Sequence, residues 1–399
     1  MTEPVINGDR LWATLMEMAT IGATAKGGNN RLALTDLDLA GRALFLDWAR
    51  EAGCAITIDS MGNTFARREG SDQKAPSVMS GSHLDTQPTG GRFDGVYGVL
   101  AALEAVRAMN DHNIQTRHPI EIVVWTNEEG SRFQPAMMGS GVFAGILDQE
   151  EIYQTRDKDG ITLISELERH RLVGAIPAAP RPIHAYLEAH IEQGPVLETE
   201  NREIGVVTGI QGMKWIKATV RGVNAHAGTT PMEVRRDPLV GAAKMVDAID
   251  SIIRSSRPDA VGTVGEFAVG PGSINVINEE VRFSIDLRCP DEGVLEELKS
   301  ACQSALEEIW HLPPTVFSGS IGEAVEGAAG IHGHSSRRIV SGAGHDAKYL
   351  ADICPAGMIF IPCEGGISHN EVESITREQA VAGGNVLLSS LVRLAGRVD

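Results

Sequence analysis

The chain has 399 residues, with 53 acidic against 35 basic side chains and a formal net charge of −18 at pH 7. This length favours two domains, and the acidic excess argues against nucleic acid or an anionic membrane as a partner, because phosphate binding needs clustered Lys and Arg. The sequence shows no secretory signal and no apolar run that could span a bilayer, and its five cysteines lack CxxC spacing, so we expect a cytoplasmic protein with free thiols.

Strand-like and helix-like segments alternate through the first part of the chain, which predicts an α/β domain. The first predicted strand near polar residues covers residues 77–82 and runs directly into His83. A Gly-rich turn, residues 89–95, then places Asp94 just ahead of a helix that begins at Val96, where apolar residues recur at helical spacing.

Further predicted strands of this domain also end at polar residues. The predicted strands are residues 120–125, 183–189 and 358–361, and the residues that follow them are Glu128 and Glu129, His190, and His369. Open α/β sheets bind ligands beyond the carboxyl ends of their strands, so we expect these side chains to lie at one edge of the sheet.

The pattern changes between about residues 212 and 312. The elements predicted there are a strand at 214–221, a helix at 238–253, strands at 261–269 and 281–288, a helix at 292–310 and a short final strand. This order is typical of a small α+β domain of the split βαβ, ferredoxin-like kind. We therefore predict a catalytic domain over residues 1–211 and 329–399, with an inserted domain over 212–328. Residues 319–333, rich in Gly and Ala, are predicted to form a loose connection back to the first domain.

Each polar residue has an ordinary structural explanation when it is considered alone. A histidine at a strand end is more often a hydrogen-bonded surface residue, an Asp before a helix is usually an N-cap, and paired glutamates often form a solvated loop. Such residues at matching strand ends favour a metal site instead. The predicted ligands are His83, Asp94, Glu129, His190 and His369.

Imidazole and carboxylate groups bind zinc, manganese, cobalt or nickel, and a carboxylate can bridge two ions. Two such ions lower the pKa of a shared water and polarise a carbonyl. One carboxylate must stay off the metal to carry the proton, and the adjacent Glu128 and Glu129 supply one residue for each role. Asp85 is placed either to hold the His83 imidazole or, equally, to bond its own backbone in a turn.

Several motifs resemble the aminoacylase/carboxypeptidase family of dinuclear metallohydrolases. These motifs are Gly81-Ser82-His83-Leu84-Asp85-Thr86, Gly91-Arg92-Phe93-Asp94-Gly95, Asn127-Glu128-Glu129-Gly130 and Gly366-Ile367-Ser368-His369. Two more segments, residues 188–195 and 226–232, resemble the branch that contains allantoate amidohydrolase, N-carbamoyl-L-amino acid hydrolase and β-ureidopropionase. The likeness covers nearly the whole chain.

The resemblance implies that Asp94 bridges two divalent metals, with His83 and His190 on one metal and Glu129 and His369 on the other. It implies that Glu128 is the general base. It also implies that the inserted domain forms a homodimer interface and closes over the site as a lid.

The resemblance further suggests residues that contact the substrate. It implies that His226 stabilises the oxyanion, although without the resemblance an ordinary strand-end histidine would be the preferred interpretation. Arg288 could pair with a substrate carboxylate or be a surface charge. Gln211 and Asn275 match polar substrate ligands of the branch or are turn residues. Gly344 lies in a Gly-rich turn that opens a helix, where backbone N–H groups could hold an anion or, equally, the glycines could simply form a tight turn.

From these features we expect a metal-dependent hydrolase that acts on non-peptide C–N bonds of linear amides. Its expected substrate is a small carboxylate-bearing ureido compound, such as allantoate or an N-carbamoyl-L-amino acid, with release of ammonia. An N-acyl amino acid deacylase or dipeptidase on the same scaffold is the nearest alternative. A non-catalytic binding relative is a third, although pure binding does not require an unligated base such as Glu128.

Overall fold

The computed structural model describes residues 3–302 and 306–398. Two compact units are present: unit 1 comprises Met1–Thr208 and Phe317–Asp399, and unit 2 comprises Gly209–Val316. The α-helices in chain order are α1 (Gly8–Met18), α2 (Asp36–Glu51), α3 (Val96–Asp111), α4 (Met138–Phe143), α5 (Gln149–Tyr153), α6 (Leu163–Arg169), α7 (Val196–Thr199), α8 (Pro238–Ser255), α9 (Glu292–Ala301), α10 (Gly319–Ile331), α11 (Ala347–Leu350) and α12 (Arg377–Ala395).

The strands are distributed among these helices along the chain. They are β1 (Ala55–Ile58), β2 (Thr64–Arg68), β3 (Ser77–His83), β4 (Gln115–Thr116), β5 (Ile120–Trp125), β6 (Ile183–Ile191), β7 (Ile204–Ile210), β8 (Gly212–Arg221), β9 (Ala225–His226), β10 (Val261–Thr263), β11 (Phe267–Gly270), β12 (Val276–Ile277), β13 (Glu280–Cys289), β14 (Leu306–Leu312), β15 (Thr315–Val316), β16 (Ser336–Ser341), β17 (Ala356–Ile361) and β18 (Arg397–Val398). Short 3-10 turns lie at Met232–Val234 and Glu364–Gly366.

The central sheet of unit 1 has the strand order β1-β2-β5-β3-β6-β17-β7, and β16 also pairs with β7. Its four middle strands, β5, β3, β6 and β17, run parallel to one another. Every residue of β3, β5 and β17 is buried, which explains why their sequences are not alternating apolar and polar. The predicted α/β class is confirmed, and the parallel strands direct their carboxyl ends to one edge.

Helices α3 and α12 pack against each other and against the sheet of unit 1. Almost every residue of α3 is buried, so the helix is apolar on nearly all sides. Helix α12 begins with a capping box, in which Thr376 accepts from the Gln379 N–H and the Gln379 side chain accepts from the Thr376 N–H. Both helices contact β3 and β6, the strands that carry His83 and His190.

The end of the inserted segment differs from the prediction. Residues 319–333 were predicted as a loose connection, with the boundary at 328, but Gly319–Ile331 is the helix α10 and belongs to unit 1. Its apolar face is buried in the core of unit 1, with Ile321 and Val325 each 1% exposed. The small Ala residues on this face allow close packing. A composition rich in Gly and Ala does not by itself distinguish such a helix from a loop.

Unit 2 is an antiparallel sheet of order β10-β13-β8-β14, with β11 also on β13, and helices α8 and α9 pack on it. Buried residues alternate along β13 (Val281, Phe283, Ile285, Leu287 and Cys289), as expected when one face of the sheet meets helices. The predicted helix at 292–310 was too long: α9 ends at Ala301, and Leu306–Leu312 pairs with β8 instead. The predicted strand at 261–269 is two short strands, β10 and β11.

Within the described ranges, no helix is both long enough and apolar enough to cross a membrane.

Candidate active site

The predicted ligands from the strand ends come together at one edge of the unit 1 sheet. His83 is the last residue of β3, and His190 lies one residue before the end of β6. Glu128 and Glu129 follow β5, which is paired in register with β3 so that Trp125 lies opposite His83. His369 lies in the loop after β17, beyond the 3-10 turn at Glu364–Gly366.

Asp94 lies between two sets of these side chains. Its Oδ1 is 3.2 Å from His190 Nε2 and 3.8 Å from His83 Nε2. Its Oδ2 is 3.4 Å from His369 Nε2, and that same nitrogen is 3.4 Å from Glu129 Oε2. Each oxygen of Asp94 therefore faces a different set of donors. This is the arrangement that a carboxylate bridging two cations requires.

The two buried imidazoles hold their ring nitrogens in matching orientations. His83 Nδ1 lies 2.9 Å from the Asp85 carbonyl oxygen, and His190 Nδ1 lies 2.9 Å from the Ile191 carbonyl oxygen. A carbonyl can only accept, so each Nδ1 carries a proton, and each Nε2 is the nitrogen that is left to bind a metal. Burial lowers the pKa of His83 to about 4, which favours the neutral ring that binds metals.

The charges of the site also fit a divalent cation. In the part of the chain that the structure describes, the ion pairs of Asp94, Glu128 and Glu129 are all with histidines. Burial, followed by the neighbouring carboxylates, raises the pKa of Glu128 and of Glu129 well above the usual value. Buried carboxylates without a strong cationic partner are costly, and nitrogen and oxygen donors suit zinc, manganese, cobalt or nickel. The residues present therefore fit a pair of divalent metals.

Glu128 lies beside this donor set without belonging to either group of three clustered ligands. Its Oε2 is 3.4 Å from His83 Nε2, and the residue is 7% exposed. The clusters of possible ligand atoms are His83, Asp94 and His190, and separately Asp94, Glu129 and His369. A carboxylate that is close to the donors but outside them is placed to accept a proton from a water held there.

The Asp85 side chain makes neither of the two contacts that the sequence suggested. Its carboxylate is 3.9 Å from His83 Nδ1, too far for a hydrogen bond, and its backbone carbonyl holds the imidazole instead. The two carboxylate oxygens accept the backbone N–H groups of Glu128 at 3.3 Å and of Glu129 at 3.2 Å. Asp85 thus connects the His83 strand end to the loop that carries both glutamates.

Four polar residues of the site were not among the predicted site residues. Gln87 donates its backbone N–H to Glu129 Oε1 at 3.1 Å and its side-chain amide to Oε2 at 2.7 Å. Gln193 donates to Asp94 Oδ2 at 2.9 Å, and Ser368 lies 3.0 Å from the same oxygen. Glu373 accepts the backbone N–H of Asp94 at 3.1 Å. Gln193 and Ser368 lie inside motifs that already pointed to the site, whereas Glu373 lies outside all of the motifs that the sequence analysis recognised.

Three loops at this edge contain a non-glycine residue in the left-handed backbone region. These residues are Asn127 with φ of 55°, Gln193 with φ of 57° and His369 with φ of 53°. Such conformations cost free energy and persist where the surrounding structure fixes them, often at functional sites. Each of the three residues is, or directly adjoins, a group in the proposed site.

A third cluster of possible ligands consists of His190 together with Glu188 and His345. Glu188 already accepts hydrogen bonds from Ser82 Oγ at 2.6 Å, from Tyr186 OH at 3.0 Å and from the Ala347 N–H at 3.2 Å. With its lone pairs occupied in this way, Glu188 forms part of a hydrogen-bonded network that supports β6.

The substrate-contact residues predicted in unit 2 lie on several elements of that unit. His226 and Asn275 lie together, because β9 pairs with β12 and the Ala227 N–H donates to the Asn275 carbonyl at 2.9 Å. Arg288 lies on β13 and forms an ion pair with Asp286 at 2.8 Å. Gln211 donates its side-chain amide to the Asp259 carbonyl at 3.3 Å.

The imidazole of His226 has a defined orientation. Its Nδ1 accepts the backbone N–H groups of Gly228 at 3.0 Å and of Thr229 at 3.3 Å. The proton of the neutral ring is therefore on Nε2, which leaves this exposed side chain an outward hydrogen-bond donor. Gly344, in unit 1, precedes α11, which has only four residues and begins at Ala347. The predicted substrate roles of all five residues, His226, Asn275, Arg288, Gln211 and Gly344, stay predictions.

Comparison with known proteins gives a family and several relatives. The family described as Peptidase family M20/M25/M40 matches residues 79–393. An N-carbamoyl-L-amino-acid amidohydrolase of Rhizobium meliloti is 46% identical over 407 residues, covering 99% of this chain and 98% of the relative. An allantoate amidohydrolase of Bacillus subtilis is 33% identical over 395 residues, covering 95% of both chains. The crystal structure of an amidase of the hydantoinase/carbamoylase family from Burkholderia multivorans is 51% identical, with a TM-score of 0.92 and 98% of both chains covered.

Proposed function

Because the chain belongs to the Peptidase family M20/M25/M40, we propose that it is a metal-dependent hydrolase that cleaves the ureido C–N bond of an N-carbamoyl-L-amino acid. The observation that carries the proposal is the pair of donor sets that share Asp94, with Glu128 beside them. The Rhizobium meliloti relative supports the N-carbamoyl substrate over allantoate, because it is the more similar of the two amidohydrolases compared.

His83 and His190 would hold one divalent ion, Glu129 and His369 the other, and Asp94 would bridge them. Bound there, two ions would lower the pKa of a water and polarise the ureido carbonyl. Glu128 takes the proton of the attacking water and passes it to the nitrogen of the amino acid as the C–N bond breaks. The products are the free amino acid and carbamic acid, which decomposes to ammonia and carbon dioxide.

Most of the proposed substrate contacts come from unit 2, and Gly344 comes from unit 1. His226, as an Nε2–H donor, would stabilise the oxyanion, and Arg288 would pair with the substrate carboxylate. Asn275 and Gln211 would complete the polar contacts, and backbone N–H groups at Gly344 would bind the same carboxylate. We also propose that unit 2 forms a homodimer interface and acts as a lid, as the resemblance implies.

The experiment is a substrate panel with two readouts. Protein loaded with manganese or zinc is incubated with N-carbamoyl-L-amino acids, N-carbamoyl-β-alanine, allantoate, N-acetyl amino acids and dipeptides, while ammonia and free amine are measured. Purified Glu128→Gln protein is the control for contaminating activity. We expect equal amounts of ammonia and L-amino acid from N-carbamoyl-L-amino acids. Ammonia from allantoate alone would change the substrate, and amine without ammonia would indicate the deacylase or dipeptidase alternative.

A further inference from the structure

Glu373 is a buried carboxylate beside the proposed metal site that belongs to neither donor set. It is 1% exposed. Its Oε1 accepts two consecutive backbone N–H groups, from Phe93 at 2.9 Å and from Asp94 at 3.1 Å. Its Oε2 accepts the Ser368 hydroxyl at 2.9 Å. The carboxylate therefore has donors on both oxygens, and all of them come from residues at or next to proposed ligands.

These contacts connect two loops that are distant in sequence. Phe93 and Asp94 lie in the turn before α3, whereas Ser368 directly precedes His369 in the loop after β17. Glu373 itself follows His369 by four residues. Fixing Glu373 thus fixes the distance between the loop that carries the shared ligand and the loop that carries His369.

The turn before α3 is shaped around this carboxylate. A Cβ at Gly91 would lie 2.0 Å from Glu373 Oε1 and 2.5 Å from Glu373 Cβ. No side chain fits between the turn and Glu373, so the turn lies directly against the carboxylate. This close approach explains why a glycine is needed at this position.

The Ser368 hydroxyl lies within hydrogen-bond distance of both the Glu373 and the Asp94 carboxylates. Its Oγ is 2.9 Å from Glu373 Oε2 and 3.0 Å from Asp94 Oδ2. One hydroxyl donates one hydrogen bond, so Ser368 donates to one of these oxygens at a time. Gln193 Nε2 is a second donor to Asp94 Oδ2, at 2.9 Å. If Asp94 Oδ2 binds a cation, Ser368 can donate to Glu373 while Gln193 remains on Asp94.

We propose that Glu373, acting with Ser368, is a positioning residue for the metal pair. It holds the Asp94 backbone so that the two carboxylate oxygens face the two donor sets, and it holds the His369 loop in register with Asp94. The inference rests on the proposed function, because it assumes that Asp94 bridges two cations. Residues that orient metal ligands typically affect metal affinity by about 10- to 100-fold when they are replaced.

The test measures Mn²⁺ binding by the apo protein, with free Mn²⁺ followed by electron paramagnetic resonance. Glu373→Ala is expected to weaken Mn²⁺ binding by about 10- to 100-fold. Glu373→Gln should recover much of that loss, because its amide oxygen can still accept both backbone N–H groups. Ser368→Ala, a small change that preserves those N–H bonds, should weaken binding by a smaller factor.

Asp59 provides the matched control. It is 0% exposed, its Oδ1 accepts the backbone N–H groups of Met61 and Asn63, and its Oδ2 accepts the Asn63 side chain at 2.9 Å. Asp59→Ala should therefore change the melting temperature while Mn²⁺ affinity stays at the wild-type value. Equal Mn²⁺ affinity in Glu373→Ala and Asp59→Ala would overturn the proposal.

If Glu373→Ala does not fold, wild-type affinity in Ser368→Ala overturns the proposal, and a weakened affinity supports it. Failure of the wild-type protein to bind any Mn²⁺ would overturn the proposed function together with this inference. Two bound Mn²⁺ ions in the wild type and in every variant at equal affinity would overturn the inference alone.

Discussion

Replacing Gly95 by Ala should remove His83 from the metal site. Gly95 has φ of +66°, and a Cβ there would lie 2.3 Å from His83 Cε1 and 2.4 Å from each ring nitrogen. An ordinary van der Waals contact is at least about 3.4 Å, so the ring would have to withdraw by about 1 Å. His83 is otherwise held by the 2.9 Å contact of its Nδ1 with the Asp85 carbonyl.

The size of this displacement sets the expected loss. Metal–ligand distances tolerate changes of about 0.2 Å, so a shift of about 1 Å takes Nε2 out of the coordination sphere. A misplacement of about 1 Å at a reacting centre can cost about 10²-fold in rate. We expect Gly95→Ala to lower both kcat/KM and metal affinity by at least about 10²-fold.

The backbone strain of this substitution can be separated from the clash. Gly53 also has a positive φ, +82°, but a Cβ there would meet nothing within 4 Å. Gly53→Ala should therefore cost about 1 kcal/mol of folding free energy through backbone strain and leave activity unchanged. Metal content by elemental analysis and kcat/KM for ureido hydrolysis are measured on both variants. If Gly95→Ala has the metal content and kcat/KM of Gly53→Ala, the assignment of His83 as a ligand is wrong.

Three other substitutions test separate roles. Glu128→Gln should lower kcat by about 10²- to 10⁴-fold because the amide cannot take a proton, while metal content stays at the wild-type value; near wild-type turnover would refute the role of base. Asp85→Ala removes the acceptor for the N–H groups of Glu128 and Glu129, so we expect kcat to fall by about 10- to 100-fold, and an unchanged kcat would contradict that positioning. Arg288→Ala should mainly raise KM, because one charge-assisted pair with the substrate carboxylate is lost, and steady-state kinetics with an unchanged KM would exclude this contact.

Sequence patterns predicted the central parts of the fold because short-range signals determine them. The buried runs of β3, β5 and β17 and the turn before α3 can be recognised from neighbouring residues, and the positions of His83 and Asp94 follow from them. In a parallel sheet the carboxyl ends of neighbouring strands meet at one edge. The position of a residue at a strand end therefore follows from the strand that it ends.

Other features depend on contacts between distant residues. Glu373 bonds Asp94 across 279 residues, and no local pattern marks it. The Asp85 carboxylate accepts a hydrogen bond from the backbone of the Glu128 loop and not from His83. Which of these contacts forms depends on how the two loops pack. Residues 306–312 have helix-favouring composition but pair with β8, because sheet pairing overrides local propensity.

We propose that ureido hydrolysis by this protein requires two metal ions, held by the donor sets that share Asp94. The most direct measurement titrates apo protein with Mn²⁺ or Zn²⁺ and records ammonia release from an N-carbamoyl-L-amino acid at each addition. We expect no ammonia from the apo protein and a rate that rises until two equivalents per chain are bound. Full activity in the apo protein, or a rate that saturates at one equivalent, would contradict this proposal.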